Sequence, residues 1–241
     1  MTAEVNTLPI LYSLQHCPYA MRARMGLLMA QQQVLLRAIT MKNKPQEMLK
    51  VSPKGTVPVL VFADLDSQYS TQSPVIDESL DIMLWALQQN DPEDLLHKDN
   101  PNDLAEMLKL VKLNDKEFKP QLEIYKKSKR FRTGTEVEER QKCEVFIAEL
   151  ERRLASSKGV GGSVVDANFV GCFVGKKPGL IDYALIPFVR QFSRVNKAWF
   201  KQAPYPLLRN WIEHQMQSRL YAKAMQKTPL WLDEYEKCVF G

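Results

Sequence analysis

The feature that most constrains the fold is a short apolar strand that runs into a helix through a Cys-Pro pair. Residues 8–13 read LPILYS, a run of apolar residues that predicts a buried strand. Cys17 and Pro18 follow, and proline suits the first turn of a helix, where its missing N–H would be unpaired anyway. Residues 19–33 then carry apolar side chains at helical spacing, and residues 34–39 predict a second strand. The order β-α-β implies parallel strands joined by a crossover helix.

The next fifty residues extend this pattern. Residues 45–50 predict a short helix, and residues 52–56 have the composition of a turn. Residues 57–62 predict a strand with a proline near its start, where proline does least harm to a ladder. A polar stretch at 64–73 is expected to be a loop, before a brief strand at 74–76 and a helix that starts at Asp77. The predicted order is β-α-β-α-β-β-α.

The second half of the chain has a different pattern. Asn90-Asp91-Pro92 interrupts the alternation, and beyond it apolar residues recur by threes and fours, which predicts helices almost throughout. Pro120 is expected to kink the first long helix, and the Gly-rich stretch 159–179 fits no regular element. We therefore predict an α/β thioredoxin-like domain at 1–90, a linker at 91–101 and an all-helical domain at 102–241.

Composition excludes several classes of protein. With 45% hydrophobic and 25% charged residues, the 241-residue chain buries an ordinary core, and its net charge of +5 is spread along the sequence. The one basic cluster, at 126–132, is interpreted as a solvated helix end rather than a nucleic-acid surface. A leader peptide and an apolar run long enough to cross a membrane are both absent, so we expect a cytoplasmic protein with no membrane or nucleic-acid partner.

Cysteine and histidine spacing argues against a metal site. The four cysteines form no CxxC pair, and the three histidines lie far apart. Such cysteines are best interpreted as free thiols in a reducing compartment. No metal is therefore expected.

Cys17 is the strongest candidate for chemistry. At the junction of a strand and a helix, a thiolate meets unpaired backbone N–H groups and the positive end of the helix dipole. Arg22 and Arg24 add positive charge nearby. Thiolates stabilised in this way are the reactive form of cysteine. The competing interpretation is a buried structural cysteine, since cysteine is among the most buried residue types.

Two further motifs would complete a peptide-binding site. Val57-Pro58, after a Gly-containing turn, is a candidate cis peptide, and its backbone could pair with an extended peptide. At the next helix start, Ser79 could hold a carboxylate and Glu78 an ammonium group. An edge-strand proline and routine capping are the ordinary alternatives. Together the three motifs describe one ligand, a short peptide with a thiol, a carboxylate and an amine.

On these motifs the first domain resembles the thioredoxin-like half of glutathione transferases, closest to the omega class and to two-domain glutaredoxins. The resemblance implies that Cys17 forms a mixed disulfide with glutathione and that Val57, beside Pro58, pairs with the cysteinyl backbone of glutathione. It also implies that Glu78 and Ser79 grip the γ-glutamyl end and that Lys44 contacts the ligand.

The helical half carries the resemblance further. The segment KPGLIDYALIP at 177–187 is similar to the family's capping-box segment, with Asp182 as its buried aspartate. Gly179 departs from the pattern, because the family usually has Ser or Thr there. The loop at 63–73 is also longer than the family pattern predicts.

The resemblance implies glutathione as co-substrate, an unknown second substrate and a homodimer. Ala20 stands where a resolving cysteine would be, so a second glutathione would have to resolve the mixed disulfide. This favours a thiol transferase or reductase over a conjugating enzyme. Two alternatives stay open. One is a conjugating transferase that uses the Tyr12 or Ser13 hydroxyl, and the other is a non-catalytic interaction protein on the same fold.

Overall fold

The computed structural model describes residues 8–62, 74–159 and 171–241. The predicted loop at 63–73 and most of the Gly-rich stretch 159–179 lie outside the described residues. The chain divides into two compact units. One contains the described residues up to Glu93 together with Arg219–Gly241, and the other is Asp94–Ser218.

The first unit contains a mixed sheet with helices. Its elements in chain order are β1 (Ile10–Ser13), α1 (Pro18–Met29), β2 (Val34–Ala38), α2 (Gln46–Val51), β3 (Val59–Val61), β4 (Val75–Ile76) and α3 (Ser79–Gln89). This is the predicted β-α-β-α-β-β-α order, with element ends moved by a few residues. The thioredoxin-like fold class predicted for the first domain is confirmed.

Strand pairing in this unit follows from the crossover. β1 pairs with β2 in parallel and with β3 in antiparallel orientation, and β4 pairs with β3 in antiparallel orientation. α1 packs closely on α3 because Gly26 has no side chain: a Cβ there would lie 2.6 Å from Cγ of Met83. Strand pairing therefore places β1 beside β3, and helix packing places α3 against α1.

The chain's C-terminal segment also belongs to this sheet, which the sequence analysis did not predict. After α11 (Arg219–Ala224) and α12 (Trp231–Glu234), the strand β5 (Cys238–Phe240) pairs antiparallel with β2. The sheet order is β4-β3-β1-β2-β5. An unpaired edge strand exposes a row of backbone donors and acceptors, and β5 satisfies those of β2. The structure therefore differs from the expected helical continuation at Cys238–Phe240, and the domain boundaries remain predictions.

The second unit is helical. Its elements are α4 (Pro101–Leu113), a π-helical turn (Asn114–Phe118), α5 (Lys119–Phe131), α6 (Glu136–Gly159), α7 (Leu180–Ala184), α8 (Ile186–Val195), α9 (Lys197–Gln202) and α10 (Pro206–Gln217). Its core is rich in aromatic rings, among them Phe118, Phe192 and Trp211, each at most 3% exposed. The helical class predicted for this half is confirmed.

The irregularity predicted at Pro120 takes the form of the π-helical turn. Within it the Lys119 N–H donates to the carbonyl of Asn114, five residues earlier. Proline has no N–H for the helical ladder and crowds the preceding turn, so a wider turn just before it accommodates the ring.

Within the described part of the chain, no helix combines the length and apolar character needed to cross a bilayer.

Candidate functional site

Cys17 lies immediately before α1. It is the N-cap residue, with an extended backbone (φ −71°, ψ 125°), and Pro18 is the first helical residue. The Cys17 N–H donates to the carbonyl of Leu14 at 3.1 Å, and its carbonyl accepts from the N–H of Met21 at 2.9 Å. The half-buried thiol forms no capping hydrogen bond, so it lies at the positive end of the helix with its sulfur unengaged by the helix backbone.

Val57 lies directly beside this cysteine. The Cys17 Sγ is 3.8 Å from the Val57 carbonyl oxygen, to which the thiol donates. The Val57–Pro58 bond is cis, as predicted. The preceding turn depends on Gly55, whose φ of +58° is in the left-handed region and whose N–H donates to the Ser52 carbonyl at 3.0 Å. The structure therefore brings together two of the predicted site residues that are forty positions apart.

Lys44 reaches the same turn from the segment before α2. Its Nζ is 3.1 Å from the point that a Cβ on Gly55 would occupy. Lys44 is half-buried. Its ammonium group thus lies against the turn that leads into Val57.

Ser79 is the first residue of α3 and is 3% exposed. Its hydroxyl oxygen accepts from Nη1 of Arg22 at 3.4 Å. Arg22 lies on α1 and is completely buried. A buried cation therefore ties the start of α3 to the helix that follows Cys17.

Glu78 is the N-cap residue of α3, with an exposed carboxylate. Lys54 donates to that carboxylate at 2.7 Å and lies 3.2 Å from the carboxylate of Asp77, which also accepts from the Ser52 hydroxyl at 3.0 Å. Desolvation has the largest single effect and lowers the pKa of Lys54, but the hydrogen bonds and charges of Glu78 and Asp77 together outweigh it and raise that pKa. Sequence reasoning missed Lys54. The signal available was the Asp77-Glu78 pair, which places two negative charges side by side and favours a nearby cation.

Tyr12 and Ser13, the alternative hydroxyls, are each 2% exposed. As consecutive strand residues they point to opposite faces of the sheet. The Tyr12 hydroxyl accepts from Arg37 Nη1 at 2.7 Å, and the Ser13 hydroxyl accepts from Arg24 Nη1 at 2.5 Å. Burial raises the pKa of Tyr12 above its ordinary value, against a smaller lowering by Arg37. Both hydroxyls are therefore bound to cations inside the unit.

The other cysteines lie in different surroundings. Cys143 and Cys172 are at most 1% exposed, and burial raises the pKa of each to about 12. Cys238 is half-buried on β5. Among the described residues, no group of three or more His, Cys, Asp and Glu side chains is arranged to hold a metal ion.

Asp182 lies in the second unit and is 1% exposed. Its carboxylate accepts from the N–H of Phe173 at 2.9 Å and from the N–H of Gly179 at 2.8 Å. Gly179 has no hydroxyl to return a bond, and a Cβ there would lie 2.5 Å from Sδ of Met107. Met107 thus occupies the space that a Ser or Thr side chain at position 179 would need. Asp182 therefore caps the start of α7 without a side chain at position 179 that returns a hydrogen bond.

Two models of one protein family match the chain. The model described as "Glutathione S-transferase, N-terminal domain" matches residues 11–94, and the model described as "Glutathione S-transferase, C-terminal domain" matches residues 138–214. The N-terminal match contains the proposed glutathione-binding residues, and the C-terminal match contains Asp182.

Individual relatives agree with these matches. Mouse "Glutathione S-transferase omega-1" is 26% identical over 219 residues, which are 91% of this chain and 77% of the mouse protein. Among solved structures, glutathione transferase Omega 3C from Trametes versicolor has a TM-score of 0.69 at 18% identity, covering 95% of this chain and 96% of the other. Ure2p in complex with glutathione has a TM-score of 0.68 at 17% identity, covering 90% and 97%. These structures share the fold of this chain.

Proposed function

Because the chain belongs to the glutathione transferase superfamily and resembles its omega class, we propose that it is a glutathione-dependent thiol transferase that acts through Cys17. Glutathione is the co-substrate in this proposal, and the second substrate is a disulfide that contains a glutathionyl group. Lys44, the Val57-Pro58 backbone, Glu78 and Ser79 bind glutathione beside the thiolate.

The proposed reaction has two exchange steps. In the first, the Cys17 thiolate attacks the glutathionyl sulfur of the substrate disulfide, so that a Cys17–glutathione disulfide forms and the substrate leaves as a thiolate that takes up a proton. In the second, the thiolate of a free glutathione attacks the glutathionyl sulfur of the mixed disulfide. Oxidised glutathione leaves, and the Cys17 thiolate is restored. Ala20 provides no thiol that could compete with the second step.

One observation carries the proposal most directly: the Cys17 thiol is at the N-terminal end of α1, 3.8 Å from the Val57 carbonyl. The helix end supplies unpaired N–H groups and positive potential for a thiolate. The Val57 backbone lies where an extended peptide bound to that sulfur could pair with it. Cys143 and Cys172 are at most 1% exposed, so neither thiol is open to an incoming peptide.

The hydroxyl alternative has weaker support. An activating hydroxyl must reach the glutathione sulfur, but those of Tyr12 and Ser13 are 2% exposed and bound by Arg37 and Arg24. We therefore expect Tyr12→Phe and Ser13→Ala to retain thiol transfer. Loss of activity in either variant, with full activity in Cys17→Ser, would instead identify a conjugating enzyme.

The test of the proposal is an intact-mass measurement after incubation with oxidised glutathione. The parent is expected to gain one glutathionyl group and Cys17→Ser to gain none, because Cys143 and Cys172 are buried and Cys238 lies on a strand rather than at a helix N-terminus. Cys238→Ser is the matched control, since Cys238 is the other half-buried cysteine, and it should be modified like the parent. Turnover of a small glutathionyl disulfide should disappear in Cys17→Ser and persist in Cys238→Ser.

The interaction-protein alternative makes a different prediction in the same experiments. A binding module would be retained on immobilised glutathione but would turn over no disulfide in the parent protein.

The cytoplasmic location and the homodimer also belong to the proposal. Thiol exchange requires a reducing compartment that supplies glutathione, and light scattering on the purified protein tests the dimer.

A further inference from the structure

Arg24 is a buried cation beneath the loop that carries Cys17. The side chain is 3% exposed and makes four hydrogen bonds. Its Nη1 donates to the Ser13 hydroxyl at 2.5 Å and to the Leu14 carbonyl at 3.3 Å, and its Nη2 donates to the Gln15 carbonyl at 2.7 Å. These acceptors lie two to four residues before Cys17. The guanidinium therefore fixes the position of the loop that leads into Cys17.

The fourth bond reaches the other end of the chain. Arg24 Nε donates to the Ala224 carbonyl at 2.7 Å, and the Gln15 side-chain amide donates to the Met225 carbonyl at 3.1 Å. Pairing of β5 with β2 holds the end of the same segment, where Phe240 lies opposite Val34. The C-terminal segment is thus bonded both to Arg24 and to the loop that Arg24 holds.

The charge of Arg24 is not neutralised by these bonds. Within the described part of the chain, each acceptor bonded to Arg24 is a carbonyl or a hydroxyl, and none is a carboxylate. A buried charge is costly unless an opposite charge accompanies it. Burial accordingly lowers the pKa of Arg24 to about 10, and a negative charge placed on Cys17 acts on that pKa in the opposite direction.

Arg37 shows the contrasting arrangement on β2. It also bonds a buried hydroxyl, that of Tyr12, but it has a carboxylate partner in Glu47 at 3.4 Å. Its guanidinium also stacks on the Trp231 ring at 4.0 Å. Arg37 therefore has its counter-charge within its own cluster, whereas Arg24 has positive charge available to an anion that forms at Cys17.

We propose that Arg24 is a positioning residue for the reaction: its guanidinium provides the counter-charge of the Cys17 thiolate and ties the loop before Cys17 to the C-terminal segment. The role of Arg24 in turnover rests on the proposed function. The pairing of the two charges is a property of the protein without substrate and is tested separately.

The experiment measures alkylation of Cys17 by iodoacetamide across pH in a Cys238→Ser background, where the remaining cysteines are buried. In Arg24→Met, we expect the pH of half-maximal alkylation rate to rise by about one unit or more, the size of effect typical of losing a nearby opposite charge. At high pH, where the thiol is fully ionised in either protein, the rates should converge. Arg37→Met is the matched control and should alkylate like the parent.

Arg24→Lys separates charge from positioning and serves if Arg24→Met fails to fold. Lysine keeps a positive charge, but its three donor hydrogens cannot make the four bonds of the guanidinium. We expect its alkylation profile to stay close to the parent's, while kcat for thiol transfer falls about tenfold or more with KM for glutathione little changed.

Three results would overturn the inference. One is a folded Arg24→Met protein with the parent's alkylation profile. The second is a shift in Arg37→Met as large as that expected for Arg24→Met. The third is an Arg24→Lys protein with parental kcat and KM. Failure of the proposed function is distinguishable, because a parent protein without thiol-transfer activity leaves the alkylation comparison intact.

Discussion

At the scale of single residues, the salt bridge between Lys54 and Glu78 lies where we expect glutathione to place its amino group. The lysine side chain is 38% exposed and the glutamate 67% exposed. Exposed ion pairs contribute about 0–1 kcal/mol, so an incoming ammonium group could replace Lys54 on Glu78 at little cost. Ser79 instead accepts a hydrogen bond from Arg22, and Lys44 lies against the turn at Gly55.

Substitution of the proposed binding residues tests this arrangement. Glu78→Gln, Ser79→Ala and Lys44→Ala should each weaken glutathione binding about tenfold or more, because a hydrogen bond to a charged group contributes about 1.5–3 kcal/mol. Titration calorimetry measures the effect. Asp81→Asn, an exposed acid in the first turn of the same helix, is the control and should bind like the parent. Parental affinity in all three test variants would mean that glutathione binds elsewhere.

At the scale of an element, α7 depends on one carboxylate. Asp182 bonds two backbone N–H groups that have no replacement acceptor if the side chain is removed, and leaving a buried donor unsatisfied costs about 1–3 kcal/mol. Asp182→Ala should therefore lower the free energy of unfolding by about 2–4 kcal/mol, as measured by urea denaturation. Asp99→Ala, at an exposed acid in the same unit, should change it by less than about 0.5 kcal/mol.

The effect of Asp182→Ala should also depend on pH. Burial raises the pKa of this carboxyl from 3.8 to about 7, against the lowering by its hydrogen bonds and by His97. A raised carboxyl pKa means that the folded protein binds the proton more tightly, so the stability it contributes is complete below about pH 4 and lost as pH rises to about 7. The difference between parent and variant should shrink across this window and then level off. A difference that grows with pH would show that the charged form is the stabilised one.

At the scale of the whole chain, the last residues return to complete the first sheet. Phe240 is 7% exposed in β5, whereas its neighbour Val239 is 47% exposed. Phe240→Ala should lower the free energy of unfolding by about 1–3 kcal/mol, less than a fully enclosed phenylalanine because the site is at a sheet edge. Val239→Ala is the matched control, with an expected change below about 0.5 kcal/mol. Urea unfolding followed by circular dichroism measures both, and equal effects would contradict a structural role for β5.

The local features of this chain were accessible from its sequence. Strand and helix periodicity, the Pro18 helix start and the Val57-Pro58 pair each depend on residues adjacent in sequence, so the element order of the first half and the helical class of the second could be predicted. The position of Cys17 at a helix start could be predicted for the same reason. Three residues of β5 are too few for a periodicity to be recognised, and their strand exists because β2 offers an unpaired edge.

What the tertiary structure alone decided are the partners of the charged groups. Lys54 meets Glu78 across twenty-four positions, and Arg24 meets Ala224 across two hundred. No local pattern selects such partners, because a buried polar group forms a hydrogen bond with whichever complementary atom the packed chain brings within about 3 Å. The sequence by itself determined that a cysteine would begin α1. Packing of the C-terminal segment against that helix determined that Arg24, whose acceptors among the described residues are carbonyls and a hydroxyl, would lie beneath the loop before Cys17.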